Sequence, residues 1–266
     1  MKQLTDAYIV AATRTPIGKS HRGVFRNTRP DDLLVKVLQS ALAQVPGLDP
    51  KAIEDVICGC AIPEGQQGLN IARIGAVLAG LPTSVGGITV NRFCASGLSA
   101  IQIAADRIRV GEADVMIAAG TESMSMIPML GRLAMNAEVF AREENLGIAY
   151  GMGLTAEKVA ERWKVTRDEQ DAFAAASHGK AIAAQAAGEF AAEISPVSVR
   201  ESLPDVAKGE IVVRAKKIDR DEGPRPDSTV AGLAKLRPVF AARGSVTAGN
   251  SSQMSDGAGA SILDSE

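Results

Sequence analysis

Between residues 7 and 123 the chain alternates short runs of β character with amphipathic helical stretches. The β-like runs fall at residues 7–12, 55–61, 85–90 and 114–119. Helical stretches at 33–44, 70–79 and Ser96–Arg109 lie between them. A helix in this order has to bury one stripe, and a strand both faces. The arrangement that satisfies both is an α/β fold, a mixed and mostly parallel sheet between helices. Asp31 and Asp32 supply acidic charge at a helix start, and Val45-Pro46-Gly47 stops that helix. Gly80 closes the next one. In the third helix Leu98, Ile101, Ala105 and Ile108 recur with a period of about 3.6 residues, which predicts a buried stripe.

The character changes after Ser123. Residues 124–150 are Met-rich and irregular, and a long helical block follows at 155–187. Thr166-Arg167-Asp168-Glu169 forms a capping signal inside that block. Short strands are expected at 194–199 and 210–213, and residues 257–263 return to a buried-strand pattern. The expected organisation is a core of residues 1–123 and 246–266 with an inserted loop domain at 124–245. A chain that stops directly after that strand is expected to be the first half of a larger protein.

Of the 266 residues only 3% are aromatic, so the core must be built from Ala, Val, Ile and Leu. The net charge is −2 with no basic block, which argues against a nucleic-acid partner. No apolar run is long enough for a membrane span or a secretory leader, so a cytoplasmic location is expected. The three cysteines, Cys58, Cys60 and Cys94, have no disulfide or zinc spacing. Cys58 and Cys60 are expected on opposite faces of their strand. No glycine-rich nucleotide fingerprint follows the first strand, so no cofactor fold is expected.

Cys94 is the leading candidate for chemistry. It stands where the run at 85–90 meets the helix Ser96–Arg109. Free backbone N–H groups at such a turn favour a thiolate and can hold a developing oxyanion. A helix end supplies about 0.3–1 kcal/mol. Bringing a free thiol to half ionisation at neutral pH takes about 2 kcal/mol. Only favourable buried geometry raises the helix contribution to about 2 kcal/mol, so a base or cationic partner is expected. The two histidines, His21 in a polar loop and His178 on the later helical block, both read as surface residues. The small and amide residues from Ser245 to Ala260 read as a ligand-channel lining. Arg225, with Arg220 and Lys216-Lys217 upstream, could grip a phosphate.

The segment Asn91-Arg92-Phe93-Cys94-Ala95-Ser96-Gly97 resembles the active-cysteine motif of thiolases. Arg14-Thr15-Pro16-Ile17-Gly18 is similar to their opening motif. Gly151-Met152-Gly153-Leu154-Thr155-Ala156-Glu157, Ala234-Lys235-Leu236-Arg237-Pro238 and Val246-Thr247-Ala248-Gly249-Asn250 resemble further signatures, in order along the whole chain. The resemblance implies the N-terminal half, with its loop domain, of a layered α-β-α-β-α fold built from two similar halves. It implies that Cys94 attacks a 3-ketoacyl-CoA and passes the acyl group to CoA. It also implies that the Cys94 N–H serves an oxyanion hole, that Arg225 lies by the nucleotide end of CoA, that Ala248 and Ser252 line the pantetheine channel, and that Met152 lies over the thioester. Coenzyme A would be a substrate, no cofactor would be needed, and the enzyme would be a homodimer or homotetramer. Acetoacetyl-CoA-specific members usually carry histidine where Gly151 stands, and the loop from Asn250 to Gly257 resembles degradative, β-oxidation members. The family's second cysteine, activating histidine and water-ordering asparagine belong to C-terminal motifs. A decarboxylating ketosynthase shares the fold but differs around the cysteine.

Overall fold

The computed structural model of the chain describes residues 4–129 and 134–265. It divides into two compact units: Met1–Gly131 with Ala191–Gly223 and Met254–Glu266, and Arg132–Phe190 with Pro224–Gln253.

The first unit carries, in chain order, β1 (Tyr8–Arg14), β2 (Gly18–Lys19), α1 (Pro30–Leu42), β3 (Ile53–Gly59), α2 (Ile71–Leu78), β4 (Gly86–Val90), α3 (Ser96–Arg109) and β5 (Val115–Ser123). A hairpin of β6 (Val197–Asp205) and β7 (Glu210–Ile218) and the final strand β8 (Ser255–Asp264) complete it. The main sheet has the order β1-β8-β5-β3-β4, with β2 pairing β8. β3 is parallel to β4 and to β5, while β8 is antiparallel to β5 and to β1. In the main sheet β1, β3, β4 and β5 therefore all point one way, as the β/α alternation predicts.

Local sequence explains the elements. α1 starts with Pro30 in its first turn followed by Asp31 and Asp32, acidic charge at the positive end of the helix dipole. The Asn70 side chain accepts the Arg73 N–H at the start of α2. Gly80, at φ +87°, lets the chain turn just beyond that helix. Side chains alternate across the sheet. Val56, Cys58, Ile117, Ala119 and Ile262 face a core shared with Leu33, Leu34, Val37 and Leu38 of α1 and Ile71, Ala72 and Ala76 of α2. Ile57, Met116, Ala118 and Leu263 face Ala100, Ala104 and Ile108 of α3 on the other side.

Two expectations are corrected here. Cys58 and Cys60 lie in the same core cluster, not on opposite faces, because residues two apart in an extended chain share a side. Both are buried and neither forms a disulfide. In α3 the buried set is Ser96, Ser99, Ala100, Ala104 and Ile108, whereas Leu98 is 70% exposed. Ile101 and Ala105 are only partly buried. The helix is turned so that its small side chains meet the sheet, which brings the two backbones close.

The segment expected as one insertion, 124–245, is divided. Val197, Val199 and Ile218 of the hairpin belong to the α1-side core. Arg14 pairs with Asp221 at 2.7 Å and with Glu193 at 2.8 Å. The Glu222 carboxylate accepts the N–H groups of Lys19 and Val24. Residues 191–223 thus pack with the first unit. The hairpin strands are longer than the short runs expected.

The second unit holds α4 (Met152–Trp163), α5 (Arg167–Ala187) and α6 (Val230–Leu233), with short 3-10 turns at Ala137–Ala141 and Glu143–Ala149. The single helical block expected at 155–187 is two helices. Lys164 takes the left-handed conformation after α4, and Thr166 and Glu169 form a reciprocal capping box that starts α5. Residues 130–133 of the Met-rich stretch lie outside the described residues. No described helix is long and apolar enough to cross a membrane.

Candidate active site

β4 ends at Val90, and the chain turns through Asn91, Arg92, Phe93, Cys94 and Ala95 into α3. Polar side chains close this turn on itself. The Asn91 Oδ1 accepts the Phe93 N–H at 2.9 Å. The Ala95 N–H donates to the Arg92 carbonyl at 3.1 Å, and the Ser96 N–H to the Phe93 carbonyl at 3.0 Å. Ser96 Oγ accepts the Arg92 N–H at 2.8 Å and donates to the Phe93 carbonyl at 2.6 Å. Phe93 sits at φ +48°, a left-handed conformation unusual for an aromatic residue. Its ring is 71% exposed.

The result is an exposed thiol on a fixed turn. Cys94 is exposed, whereas Cys58 and Cys60 are buried. Among the described residues the Cys94 N–H has no hydrogen-bond partner, and no side chain bonds its sulfur. Burial pushes the Cys60 thiol up to about 12, with the Glu122 carboxylate adding to the effect. Burial also pushes Cys58 well above the ordinary thiol range. Those two thiols are chemically quiet.

Glycines set the height of the turn above the sheet. A Cβ on Gly59, at the end of β3, would stand 2.5 Å from the Ser96 carbonyl carbon and 2.6 Å from the Gly97 nitrogen. A Cβ on Gly120 of β5 would come to 3.8 Å from the Gly97 Cα. The first turn of α3 therefore rests directly on backbone.

The other residues named from sequence lie in the second unit. Met152 is the first residue of α4 and is 60% exposed. Arg225 is exposed and forms a bidentate pair with Asp227, its NH2 group 2.7 Å from the carboxylate. Its backbone N–H donates to the Nδ1 of His178 at 3.1 Å. His178 is partly exposed on α5 and accepts this one backbone N–H. His21 is exposed as expected.

Ala248 and Ser252 are exposed on the loop from Ser245 to Gln253. Three side chains hold that loop, two of which, Glu157 and Asp171, had no role in the sequence analysis. The Glu157 carboxylate accepts the N–H groups of Ser245 and Val246. Asp171, 1% exposed, accepts the Asn250 amide at 2.9 Å and pairs with Arg167 at 2.7 Å. Asn250 in turn accepts the Thr247 N–H at 2.7 Å. Glu157 and Asn250 lay within recognisable motifs. Asp171 had no signal beyond its spacing four residues from Arg167.

The family described as thiolase, N-terminal domain, matches residues 7–266. The chain belongs to the thiolase family. It is 44% identical over 261 residues to the 3-ketoacyl-CoA thiolase of Bacillus subtilis, covering 98% of this chain and 66% of that protein. It is 45% identical over 260 residues to the peroxisomal 3-ketoacyl-CoA thiolase 2 of Arabidopsis thaliana, covering 97% of this chain and 55% of that protein. The crystal structure of the Bacillus anthracis acetyl-CoA acetyltransferase superimposes with a TM-score of 0.84 at 36% identity, over 100% of this chain and 67% of that one. The thiolase chain described here thus spans about half to two thirds of the length of these relatives.

Proposed function

We propose that this chain carries the nucleophile of an acyl transfer between 3-ketoacyl-CoA and CoA. The observation that carries the reading is Cys94: the exposed thiol, on a turn held by hydrogen bonds, beside its own free N–H. In this scheme the Cys94 thiolate attacks the keto carbon. The bond to the acetyl-CoA portion breaks, its electron pair is protonated, and acetyl-CoA leaves. The acyl-cysteine is then attacked by the thiol of a second CoA, which releases a shortened acyl-CoA and restores the thiol. The condensing direction runs the same steps backward.

Arg225 is proposed at the nucleotide end of CoA, Ala248 and Ser252 along the pantetheine, and Met152 over the thioester. The partner carboxylate on Arg225 means that a phosphate there must compete with Asp227 for the guanidinium. Gly151, with no side chain above α4, leaves room for acyl chains longer than acetoacetyl. A role in fatty-acid β-oxidation, a cytoplasmic location and a homodimeric or homotetrameric assembly complete the reading.

The second reading is a catalytically incomplete unit that binds CoA or pairs with other thiolase subunits. It is favoured by the lack, among the described residues, of any side chain bonded to the Cys94 sulfur. Intact-mass spectrometry after incubation with acetyl-CoA separates the two. An acetyl adduct lost in Cys94→Ala supports acyl transfer by this chain. No adduct on the chain alone, with one appearing once a thiolase C-terminal half is supplied, supports the second.

A further inference from the structure

The peptide unit between Phe93 and Cys94 is the part of the turn whose orientation matters for acyl transfer. Its N–H is the free donor beside the thiol. Its carbonyl is the Phe93 oxygen, which accepts from both the backbone N–H of Ser96 and the Ser96 hydroxyl. Peptide units are planar and trans here, so the N–H points opposite to the carbonyl. Whatever fixes the Phe93 carbonyl inward therefore fixes the Cys94 N–H outward.

We propose that Ser96 is a positioning residue that locks the Phe93–Cys94 peptide and so aims the Cys94 N–H at the developing oxyanion. The inference rests on the acyl-transfer reading above. Ser96 is suited to the task. Its side chain is 3% exposed, so water does not compete for its hydroxyl. The hydroxyl uses both its capacities at once, accepting from the Arg92 N–H and donating to the Phe93 carbonyl. Beneath it, the close approach of Gly59 leaves the Ser96–Gly97 backbone no space to sink toward the sheet.

The lock also has a load to hold. Phe93 is in the left-handed region, where an L-residue is strained, so the turn keeps this conformation only while its hydrogen bonds hold it. Removing the Ser96 hydroxyl leaves the Arg92 N–H without its partner and the Phe93 carbonyl with a single bond. A turned peptide would carry the Cys94 N–H away from the thiol while leaving the sulfur exposed.

This predicts a split between two reactions of the same sulfur. Alkylation by iodoacetamide passes through no oxyanion, whereas acylation by a thioester does. In the chain in its native full-length form, Ser96→Ala is expected to slow acylation of Cys94 by acetyl-CoA roughly tenfold to a hundredfold while iodoacetamide alkylation stays within about twofold. Both rates are read by intact-mass spectrometry, with Cys94→Ala as the control. Equal slowing of both reactions would mean that Ser96 merely supports the fold, and would overturn the proposal. So would no change in either. A wild-type protein that alkylates at Cys94 but is never acylated would overturn the acyl-transfer reading itself. If Ser96→Ala does not fold, Ser96→Gly, which also removes the hydroxyl, is judged by the same split.

Discussion

At the scale of the residue, the three cysteines show how environment assigns chemistry. Cys94 stands in the open beside a free N–H, while Cys58 and Cys60 sit among Leu33, Val37 and Ile117. Burial holds Cys60 protonated far into alkaline solution. The sign of its effect on stability follows. Its folded value, about 12, lies above the ordinary thiol value of 9.0, so the folded state keeps a proton that the unfolded chain releases. The contribution is complete below about pH 9 and is lost as pH rises toward 12, at about 1.4 kcal/mol per unit of difference reached. Urea midpoints measured from pH 7 to 11 are expected to fall more steeply in the wild type than in Cys58→Ala/Cys60→Ala. Parallel curves would show that these thiols do not set the alkaline limit.

At the scale of the element, the key contacts are those that let helices start where they do. α3 begins on top of Gly59 with no side-chain cap of its own. Gly59→Ala places a methyl group 2.5 Å from the Ser96 carbonyl carbon, closer than atoms can stand, so the start of α3 must move. The expected outcome is a loss of about 1–3 kcal/mol in unfolding free energy, with slower acylation of Cys94. Denaturant titration and mass spectrometry check the two effects; a variant of wild-type stability would refute the close contact. In the second unit, the Thr166–Glu169 capping box separates α5 from α4. Thr166→Ala is expected to cost about 1 kcal/mol of stability, visible as a lowered melting midpoint in circular dichroism.

At the scale of the whole molecule, the first unit is unevenly finished. Its α1/α2 face is closed by a dense cluster of aliphatic side chains. On the α3 side Leu98 is exposed, and Phe93 stands out from the turn before it. Tyr8, Ile9 and Val10 of β1 are also exposed. Exposed apolar surface of this extent favours association. Expressed as these residues alone, the chain is expected to self-associate or precipitate, and sedimentation velocity over a range of concentrations tests this. A monodisperse monomer that melts cooperatively would contradict it.

Much of this was legible in the sequence because it is local. The β/α alternation placed the strands and helices of residues 7–123, apart from the two-residue β2, to within a few residues, since hydrophobic period, capping residues and glycine stops act over one or two turns. Cys94 was legible because its motif is contiguous. The Thr166–Glu169 capping box was visible too, although the turn at Lys164 that ends α4 before it was not. Other features depend on residues distant in sequence. The buried face of α3 is not its apolar stripe, because that stripe says what a helix can bury and not which neighbour it meets. Gly59 and Gly120, some forty residues before and twenty after Gly97, let the small face of α3 approach the sheet. The engagement of His178 with the Arg225 backbone and the anchoring of the Ser245–Gln253 loop by Glu157 and Asp171 are likewise tertiary. The sequence by itself determined the alternation, the helix ends and the turn that carries Cys94, because each follows from short-range sterics and solvation. Only the tertiary structure decided which cysteines are silenced, which side chains aim the free N–H, and where the apolar surface stays open, because those depend on atoms that the chain brings together only by folding.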